Sequence, residues 1–277
     1  MTAISANGIT IEYETFGDPG SPPVLLIMGF GAQLTMWDPR FCQALADAGY
    51  FVIRYDNRDV GLSSSIEDAT ESPAYTLSDM AADGAGLLDA LGIVTAHIVG
   101  ASMGGMIAQT FAIEHPERTR TLVSIMSTTG NQTVGQPMPD ALAALLAPPP
   151  TSRDGAIEAG LKAWRVIGSP GYTFDEDAVR ERAGASYDRS FNPEGTARQL
   201  AAIMSQPDRT AALGKVRVPT LVIHGEADPL VSPSGGEATA AAIPGAKLKM
   251  VPGMGHDLPP DLHDEFVRDM SALFQRA

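Results

Sequence analysis

The chain has 277 residues, of which 44% are hydrophobic and 19% are charged, and its formal net charge is −14. The length suits an α/β domain that carries an insertion, and the apolar content is sufficient for a core, so a wholly disordered chain is excluded. The excess of Asp and Glu disfavours a polyanionic partner, so we expect neither a nucleic acid nor a membrane surface to be bound.

The compartment is indicated by cysteine usage and by the N-terminus. Cys42 is the single cysteine and has no partner for an internal disulfide. The first residues lack the basic leader and apolar core of a signal peptide, and no apolar run reaches the roughly 18 residues that a membrane helix needs. We therefore predict a soluble, cytoplasmic protein.

The strand signals come first along the chain. "GITIEYETFG" alternates apolar and polar residues, which is typical of a half-buried strand. Later runs are short, apolar throughout and rich in branched residues, as in strands of a parallel sheet that is covered on both faces. These runs are "PVLLIMG" (23–29), "YFVIRYD" (50–56), "AHIVG" (96–100), "TLVSIMS" (121–127) and "PTLVIHG" (219–225).

Segments with helical periodicity lie between these runs, at 36–49, 76–93 and 104–118. Alternation of strands and helices at this spacing predicts an α/β fold with a mostly parallel open sheet and helices on both faces.

The alternation stops between residues 132 and 213. This segment opens with a stretch rich in Pro and Ala and continues with helix-like pieces, without a strand-like run. We predict a helical cap or lid at 132–213, inserted into a core formed by 1–131 and 214–277. Because sheets of this kind bind ligands at the carboxyl ends of their strands, we interpret the segment as a cover for an apolar pocket rather than a packing appendage.

A candidate nucleophile lies where a buried strand meets a helix. In "GASMGG", Ser102 is surrounded by small residues, among them Gly100, Gly104 and Gly105. A reversal from strand to helix within a few residues strains the central residue and requires small neighbours. Gly-x-Ser-x-Gly in this setting is the nucleophile elbow of serine hydrolases.

A serine hydroxyl needs a base, and the base needs an orienting acid. Of the five histidines, His256 lies in a Gly-rich loop after an apparent strand, where a base would be presented. The others lie in less suitable positions: His97 at the start of a strand, His115 at a helix end, His224 in a buried strand and His263 in the terminal helix. We predict His256 as the base.

The acid is expected at another strand end, between nucleophile and base in chain order. Asp228 follows a buried strand and precedes Pro229, which favours an extended turn that can aim the carboxylate. Glu226 is the alternative acid, but we expect it to occupy a solvated turn. Asp257 is adjacent to His256 and would point elsewhere.

The developing oxyanion requires backbone donors. Met103 follows the nucleophile at a helix start, where N–H groups are unsatisfied and the helix dipole favours negative charge. The second donor is expected at Phe30, between Gly29 and Gly31, where the backbone can approach a ligand closely. No metal or other cofactor is required by this set.

These motifs resemble one known family across nearly the whole chain. The motifs "VLLIMGFGAQ", "RYDNRDVGLSS", "VGASMGGMIAQ", "VPTLVIHGEADPLV" and "VPGMGHDLP" are similar, in this order, to α/β-hydrolase-fold proteins of the esterase, lipase and peroxidase-like branch. Two of them, "RYDNRDVGLSS" and "GASMGG", are particularly similar to the aclacinomycin methylesterase type of carboxyl esterase. The resemblance implies the same catalytic set: Ser102, Asp228 and His256, with the N–H groups of Phe30 and Met103.

Two further features follow from the resemblance. Asp56, Arg58 and Gly61 match a turn beside the site, which we interpret as structural. Many relatives have His-Gly after the first buried strand, whereas this chain has Met28-Gly29, so a polar support of the oxyanion loop is replaced.

The expected function is hydrolysis of a small-molecule carboxylic ester through an acyl-enzyme, without metal or cofactor. Serine at position 102 argues against a dehalogenase or an epoxide hydrolase, which use a carboxylate nucleophile on this scaffold. An aminopeptidase of the proline iminopeptidase type, a lactonase, a cofactor-free perhydrolase and a ligand-binding relative without turnover stay open. Glu176 or Glu181 would hold a substrate amine, although a solvated helix face is the favoured interpretation.

An apolar substrate is expected from a set of large apolar residues near the motifs. Several of them are also candidates for ordinary core positions. They are Met28, Phe30, Trp37, Met103, Met106 and Trp164.

Overall fold

Our computed structural model describes residues 2–67 and 72–277. Within these residues the chain forms one eight-stranded sheet, in the order β1-β2-β4-β3-β5-β6-β7-β8. The strands are β1 (Thr2–Ala6), β2 (Ile9–Phe16), β3 (Pro23–Ile27), β4 (Phe51–Tyr55), β5 (Ala96–Ala101), β6 (Thr119–Ile125), β7 (Thr220–Gly225) and β8 (Lys247–Val251).

The pairing of the strands confirms the predicted sheet. β1 and β2 pair antiparallel to each other, β2 pairs antiparallel to β4, and the other neighbours are parallel. Each predicted apolar run coincides with a strand. β1 was not predicted, because this five-residue edge strand is mostly exposed and carries little periodic signal.

The α-helices of the described residues lie between and after the strands and are numbered in chain order. They are α1 (Pro39–Asp47), α2 (Leu77–Ala90), α3 (Met103–Glu114), α4 (Pro139–Leu145), α5 (Arg153–Ile167), α6 (Glu176–Arg189), α7 (Pro193–Met204), α8 (Thr210–Leu213), α9 (Ser234–Ala242) and α10 (His263–Phe274).

The core lies in two layers, one on each face of the sheet. Alternate residues of β3 divide between them: Leu25 and Ile27 belong to the layer that includes residues of α2 and α3, whereas Val24 and Leu26 belong to the layer that includes residues of α1 and α10. All four side chains have no solvent exposure. Burial of each contributes about 1.5–3 kcal/mol, which explains why the central strands are apolar on both faces.

Local signals set the starts of the helices that cover the sheet. Asp38 caps α1 by accepting from the Arg40 N–H at 2.8 Å, and Pro39 occupies the first turn. Thr76 and Asp79 form a reciprocal capping box at α2. These caps satisfy N–H groups that have no partner within the helix.

Five consecutive helices, α4 to α8, lie between β6 and β7. Residues 132–213, all of which the structure describes, contain no strand. We call residues 132–213 the insertion. Among the described residues, no helix combines the length and the hydropathy that a membrane crossing requires.

Candidate active site

Ser102 lies at the turn between β5 and α3. Its backbone has φ 57° and ψ −121°, a region that a residue with a side chain rarely adopts. A Cβ at Gly100 would overlap the Gly104 carbonyl, and a Cβ at Gly104 would overlap the Ile27 carbonyl. Only glycine fits at these two positions, and the close approach of β3, β5 and α3 holds the Ser102 side chain at the end of the sheet.

The three residues predicted for chemistry meet in one hydrogen-bonded chain. His256 Nε2 lies 2.9 Å from Ser102 Oγ, and His256 Nδ1 lies 2.7 Å from Asp228 Oδ2. Because the carboxylate accepts, Nδ1 carries the proton, which leaves the Nε2 lone pair facing the serine hydroxyl. Ser102, Asp228 and His256 follow β5, β7 and β8, whose carboxyl ends lie at one edge of the sheet.

The second oxygen of Asp228 is held by its own loop. Oδ1 accepts from the N–H groups of Leu230 and Val231, at 2.9 Å each. Asp228 is buried, whereas Glu226, the alternative acid, is exposed. The geometry therefore places Asp228, and not Glu226, on the imidazole of His256.

His224, at the end of β7, is hydrogen-bonded to the same loop. Its Nε2 donates to the Val231 carbonyl at 2.8 Å and lies 3.5 Å from Asp228 Oδ2. Burial lowers the pKa of His224, so the ring stays neutral and acts as a donor. This is the structural position expected from its place in a buried strand.

Two backbone segments approach Ser102 where an oxyanion would form. Met103 is the first residue of α3, and a Cβ added at Gly29 would lie 3.1 Å from Ser102 Cβ, which places the loop that carries Phe30 against the nucleophile. The carbonyl of Met28 accepts from Asn57 Nδ2 at 2.9 Å. The loop after β3 is thus anchored through its backbone, although Met28 replaces the common histidine.

The insertion contacts the loop that carries His256. The His256 N–H donates to the Ile167 carbonyl at 2.7 Å, and the Gly255 N–H donates to Ser169 Oγ at 2.8 Å. The Ser169 hydroxyl in turn donates to the carboxylate of Asp257. Burial raises the pKa of Asp257, and the hydrogen bonds from Ser169 oppose that rise. The end of α5 therefore holds His256, and Ser169, just beyond α5, holds both neighbours of His256.

The turn after β4 is held by a buried carboxylate. Asp56 accepts from the N–H groups of Leu34 at 2.7 Å and Leu62 at 2.9 Å, and it forms an ion pair with Arg189 of α6 at 2.7 Å. A Cβ at Gly61, where φ is +62°, would overlap the Asp56 carboxylate. These contacts support the structural interpretation of the turn.

A cavity of about 980 Å³ lies between the insertion and the core. The insertion contributes mostly Ala, Leu, Pro and Val, together with Tyr187 and Phe191. The core contributes Phe30 and Gly31 from the loop after β3, and residues 59–61. An apolar molecule in this cavity would therefore lie beside Phe30, whereas Ser102 and His256 are not among the lining residues.

Comparison with known proteins agrees with this geometry. Residues 22–261 match the family model described as the alpha/beta hydrolase fold. The chain belongs to the α/β-hydrolase family. This confirms the predicted fold class and the family resemblance.

The relatives of this α/β hydrolase include two rhodomycin D methylesterases. Those of Streptomyces sp. (strain C5) and Streptomyces peucetius are 32% and 31% identical to it, and each alignment covers 94% of this chain and 93% of the relative. The solved structure of the enol-lactonase from Burkholderia xenovorans LB400 is 25% identical, covers both chains completely and superposes with a TM-score of 0.79.

Most of the residues expected to form an apolar pocket lie in the core of the α/β hydrolase instead. Met28 and Trp37 pack in one core layer, and Met103 and Met106 pack in the other. Phe30 is the member of the set that lines the cavity described above. Large apolar side chains near a site motif also satisfy the strong packing demand beneath it, so sequence position alone does not separate the two roles.

Several polar residues of the insertion that contact the site loops were not predicted. Among them are Ser169, Arg189 and Gln199, which reach the loops after β8, β4 and β3. Each contact joins residues far apart in the chain, so no local motif indicates it. Among the described residues, no group of three or more His, Cys, Asp or Glu side chains is arranged to hold a metal ion.

Proposed function

We propose that this α/β hydrolase cleaves a carboxylic ester through an acyl-enzyme formed on Ser102. The observation that carries the proposal is the hydrogen-bonded chain from Ser102 Oγ through His256 to Asp228. Two methylesterases among its relatives support ester hydrolysis as the activity.

The reaction begins with attack of Ser102 Oγ on the ester carbonyl while His256 Nε2 accepts the hydroxyl proton. Asp228 keeps the proton on Nδ1 and stabilises the imidazolium that forms. The N–H groups of Phe30 and Met103 donate to the oxyanion, and the helix dipole of α3 adds to this stabilisation.

Collapse of the tetrahedral intermediate returns the proton from His256 to the leaving alcohol and leaves the acyl group on Ser102. Water then attacks the acyl carbonyl, and His256 accepts its proton. Breakdown of the second tetrahedral intermediate releases the carboxylic acid and restores the serine hydroxyl.

The substrate we propose is the methyl ester of a bulky, apolar acid. The cavity of about 980 Å³ is large enough for a drug-sized molecule and is lined mainly by apolar groups of the insertion. In this proposal residues 132–213 are the cap that covers the acyl group, and residues 1–131 and 214–277 are the core. The cytoplasmic location stays a prediction.

Amide cleavage with recognition of a substrate amine has less support. Glu176 is bound by Arg165 at 2.5 Å and by Arg180 at 2.8 Å, so its carboxylate is already paired. Glu181 is exposed. Neither supplies a buried anion for an amine.

The test measures methanol release from the methyl esters of a polycyclic aromatic acid and of acetic acid. In parallel, it measures ring opening of a lactone and aniline release from an aminoacyl anilide. We expect the bulky methyl ester to be preferred and Ser102→Ala to lower kcat by about 10⁶-fold. Ser205→Ala, a change at an exposed serine, is the matched control. Turnover retained by Ser102→Ala, or preference for the anilide, would overturn the proposal. Dialysis against EDTA is expected to leave turnover unchanged.

A further inference from the structure

One buried amide of the insertion is hydrogen-bonded to the loop that carries Phe30. Gln199 Oε1 accepts from the Gly31 N–H at 2.9 Å, across 168 residues of chain. Its Nε2 donates to the Arg58 carbonyl at 2.8 Å. The Gln199 side chain has no solvent exposure; its hydrogen bond to Arg58 is buried, and its hydrogen bond to Gly31 is partly buried.

The loop needs an external anchor because of its own composition. Phe30 lies between Gly29 and Gly31, and Gly31 has φ +63°. Glycine adopts many backbone conformations. The turn across Phe30 is closed locally by one long hydrogen bond, from the Ala32 N–H to the Gly29 carbonyl at 3.3 Å, so a further contact restrains the donor. An oxyanion donor is effective only where its direction is fixed before the reaction.

The structure supplies one anchor on each side of Phe30. Asn57 holds the Met28 carbonyl before it, and Gln199 holds the Gly31 N–H after it. Gly31 also lies against α7, since a Cβ there would be 3.4 Å from Thr196 Cγ2. The Gly31 N–H belongs to the peptide group directly after Phe30, so the amide of Gln199 restrains rotation at Phe30.

The type of side chain matters at position 199. The amide gives an acceptor to Gly31 and a donor to Arg58 at the same time. A glutamate would keep the acceptor and lose the donor, and a methionine would keep the length and lose both. The two substitutions thus separate the contact to the loop from the packing.

We propose that Gln199 is a positioning residue that fixes the Phe30 N–H for the oxyanion. This inference rests on the proposed ester hydrolysis at Ser102. In this role α7 contributes to stabilisation of the transition state and also forms a wall of the cavity. Loss of the contact lowers the rate of the chemical step and leaves substrate binding nearly unchanged.

The test compares Gln199→Met and Gln199→Glu with the wild type in kcat, KM and thermal stability on the preferred ester. We expect kcat to fall by about 10- to 100-fold in Gln199→Met, as for other supporting residues, with KM within about twofold. Gln199→Glu retains more kcat although it buries a charge and unfolds at a lower temperature. Gln206→Met, the same change just beyond α7, is the control and keeps wild-type kcat.

A boronic acid that forms a tetrahedral adduct gives a second readout. Its inhibition constant is expected to rise in Gln199→Met by the same factor by which kcat/KM falls, whereas inhibition by the carboxylate product stays constant. A purely structural role would instead make kcat follow stability, with Gln199→Met more active than Gln199→Glu.

The results that would reject the role of Gln199 differ from those that would reject the proposed ester hydrolysis. No ester turnover by the wild type overturns the proposed function. Normal turnover by the wild type together with unchanged kcat in folded Gln199→Met overturns the role of Gln199 alone. If Gln199→Met does not fold, Gln199→Glu decides: a kcat that falls together with its thermal stability, although the acceptor for the Gly31 N–H is kept, rejects the positioning role.

Discussion

Asp228 divides its two oxygens between His256 and its own loop. Oδ2 takes the bond from His256 Nδ1, and Oδ1 takes two backbone N–H groups. The carboxylate therefore cannot rotate away from the imidazole without losing two buried hydrogen bonds. At the residue scale, the orientation of His256 is built into the loop that follows β7.

Asp228→Asn tests this arrangement. The amide would present either a donor or an acceptor to His256 Nδ1, and the tautomer that leaves Nε2 free would no longer be enforced. We expect kcat on the preferred ester to fall by about 10⁴-fold with the fold intact by circular dichroism. Glu226→Gln is the control and is expected to keep wild-type kcat; the reverse result would move the acid to Glu226.

The sequence was sufficient to predict the three residues of the hydrogen-bonded chain. Ser102, Asp228 and His256 each follow a strand and lie in short motifs, so elimination and chain order were informative. Ser169 and Gln199 were not predictable, because their partners lie 86 and 168 residues away and depend on how the insertion folds over the core. Sequence signals are local, whereas these contacts are not.

At the scale of elements, the turn at Ser102 is a place where three backbones touch. Gly100 of β5 packs against Gly104 of α3, and Gly104 packs against the Ile27 carbonyl at the end of β3. The core strands were predictable because burial on both faces makes them apolar throughout. The edge strand β1 has no such pressure, and the start of α1 at Pro39 depends on the Asp38 cap rather than on periodicity.

Gly104→Ala tests the close approach. An added Cβ would overlap the Ile27 carbonyl, which is backbone and cannot turn aside. We expect the free energy of unfolding to fall by about 3 kcal/mol or more, at the upper end of overpacking changes. Urea unfolding measures it. Gly20→Ala, where the nearest atom to the new Cβ is Asp18 Oδ1 at 3.4 Å, is expected to change stability little. Equal losses of unfolding free energy in the two variants would show that the close approach at Gly104 has no special effect.

At the scale of the whole molecule, ion pairs between partly exposed arginines of the insertion and buried carboxylates of the core join the two. Arg189 pairs with Asp56, and Arg198 pairs with Asp59 at 2.7 Å. Burial pushes the pKa of Asp59 upward, but hydrogen bonds from Arg198, the Ile66 N–H and Tyr75 outweigh it and hold the pKa below its usual range. The charge of Asp59 therefore stabilises the docked insertion near neutral pH.

Arg198→Met tests the link between charge and docking. Removing one partner leaves a buried carboxylate, so we expect a loss of about 3 kcal/mol in unfolding free energy at pH 7. A lowered carboxyl pKa stabilises the fold above the unfolded value of about 3.9 and loses its effect as the pH falls through the folded value. The difference from wild type should therefore be constant above about pH 5 and shrink as the pH falls below about 4.

The control for this variant is Arg180→Met on α6, which removes an exposed pair with Glu176 and Glu158. Exposed pairs contribute little, so its unfolding midpoint is expected to stay near that of the wild type at each pH. A difference for Arg198→Met that is constant with pH would show that packing, and not the charge of Asp59, is what was lost.

Covalent labelling tests whether Ser102 is a nucleophile that His256 activates. A fluorophosphonate is mixed with the protein, and the adduct is counted and located by mass spectrometry. We expect one adduct per chain, on Ser102, absent in Ser102→Ala and formed at least about 100-fold more slowly in His256→Ala. No adduct on the wild type, an adduct on another residue, or labelling of Ser102 at an unchanged rate in His256→Ala would contradict this expectation.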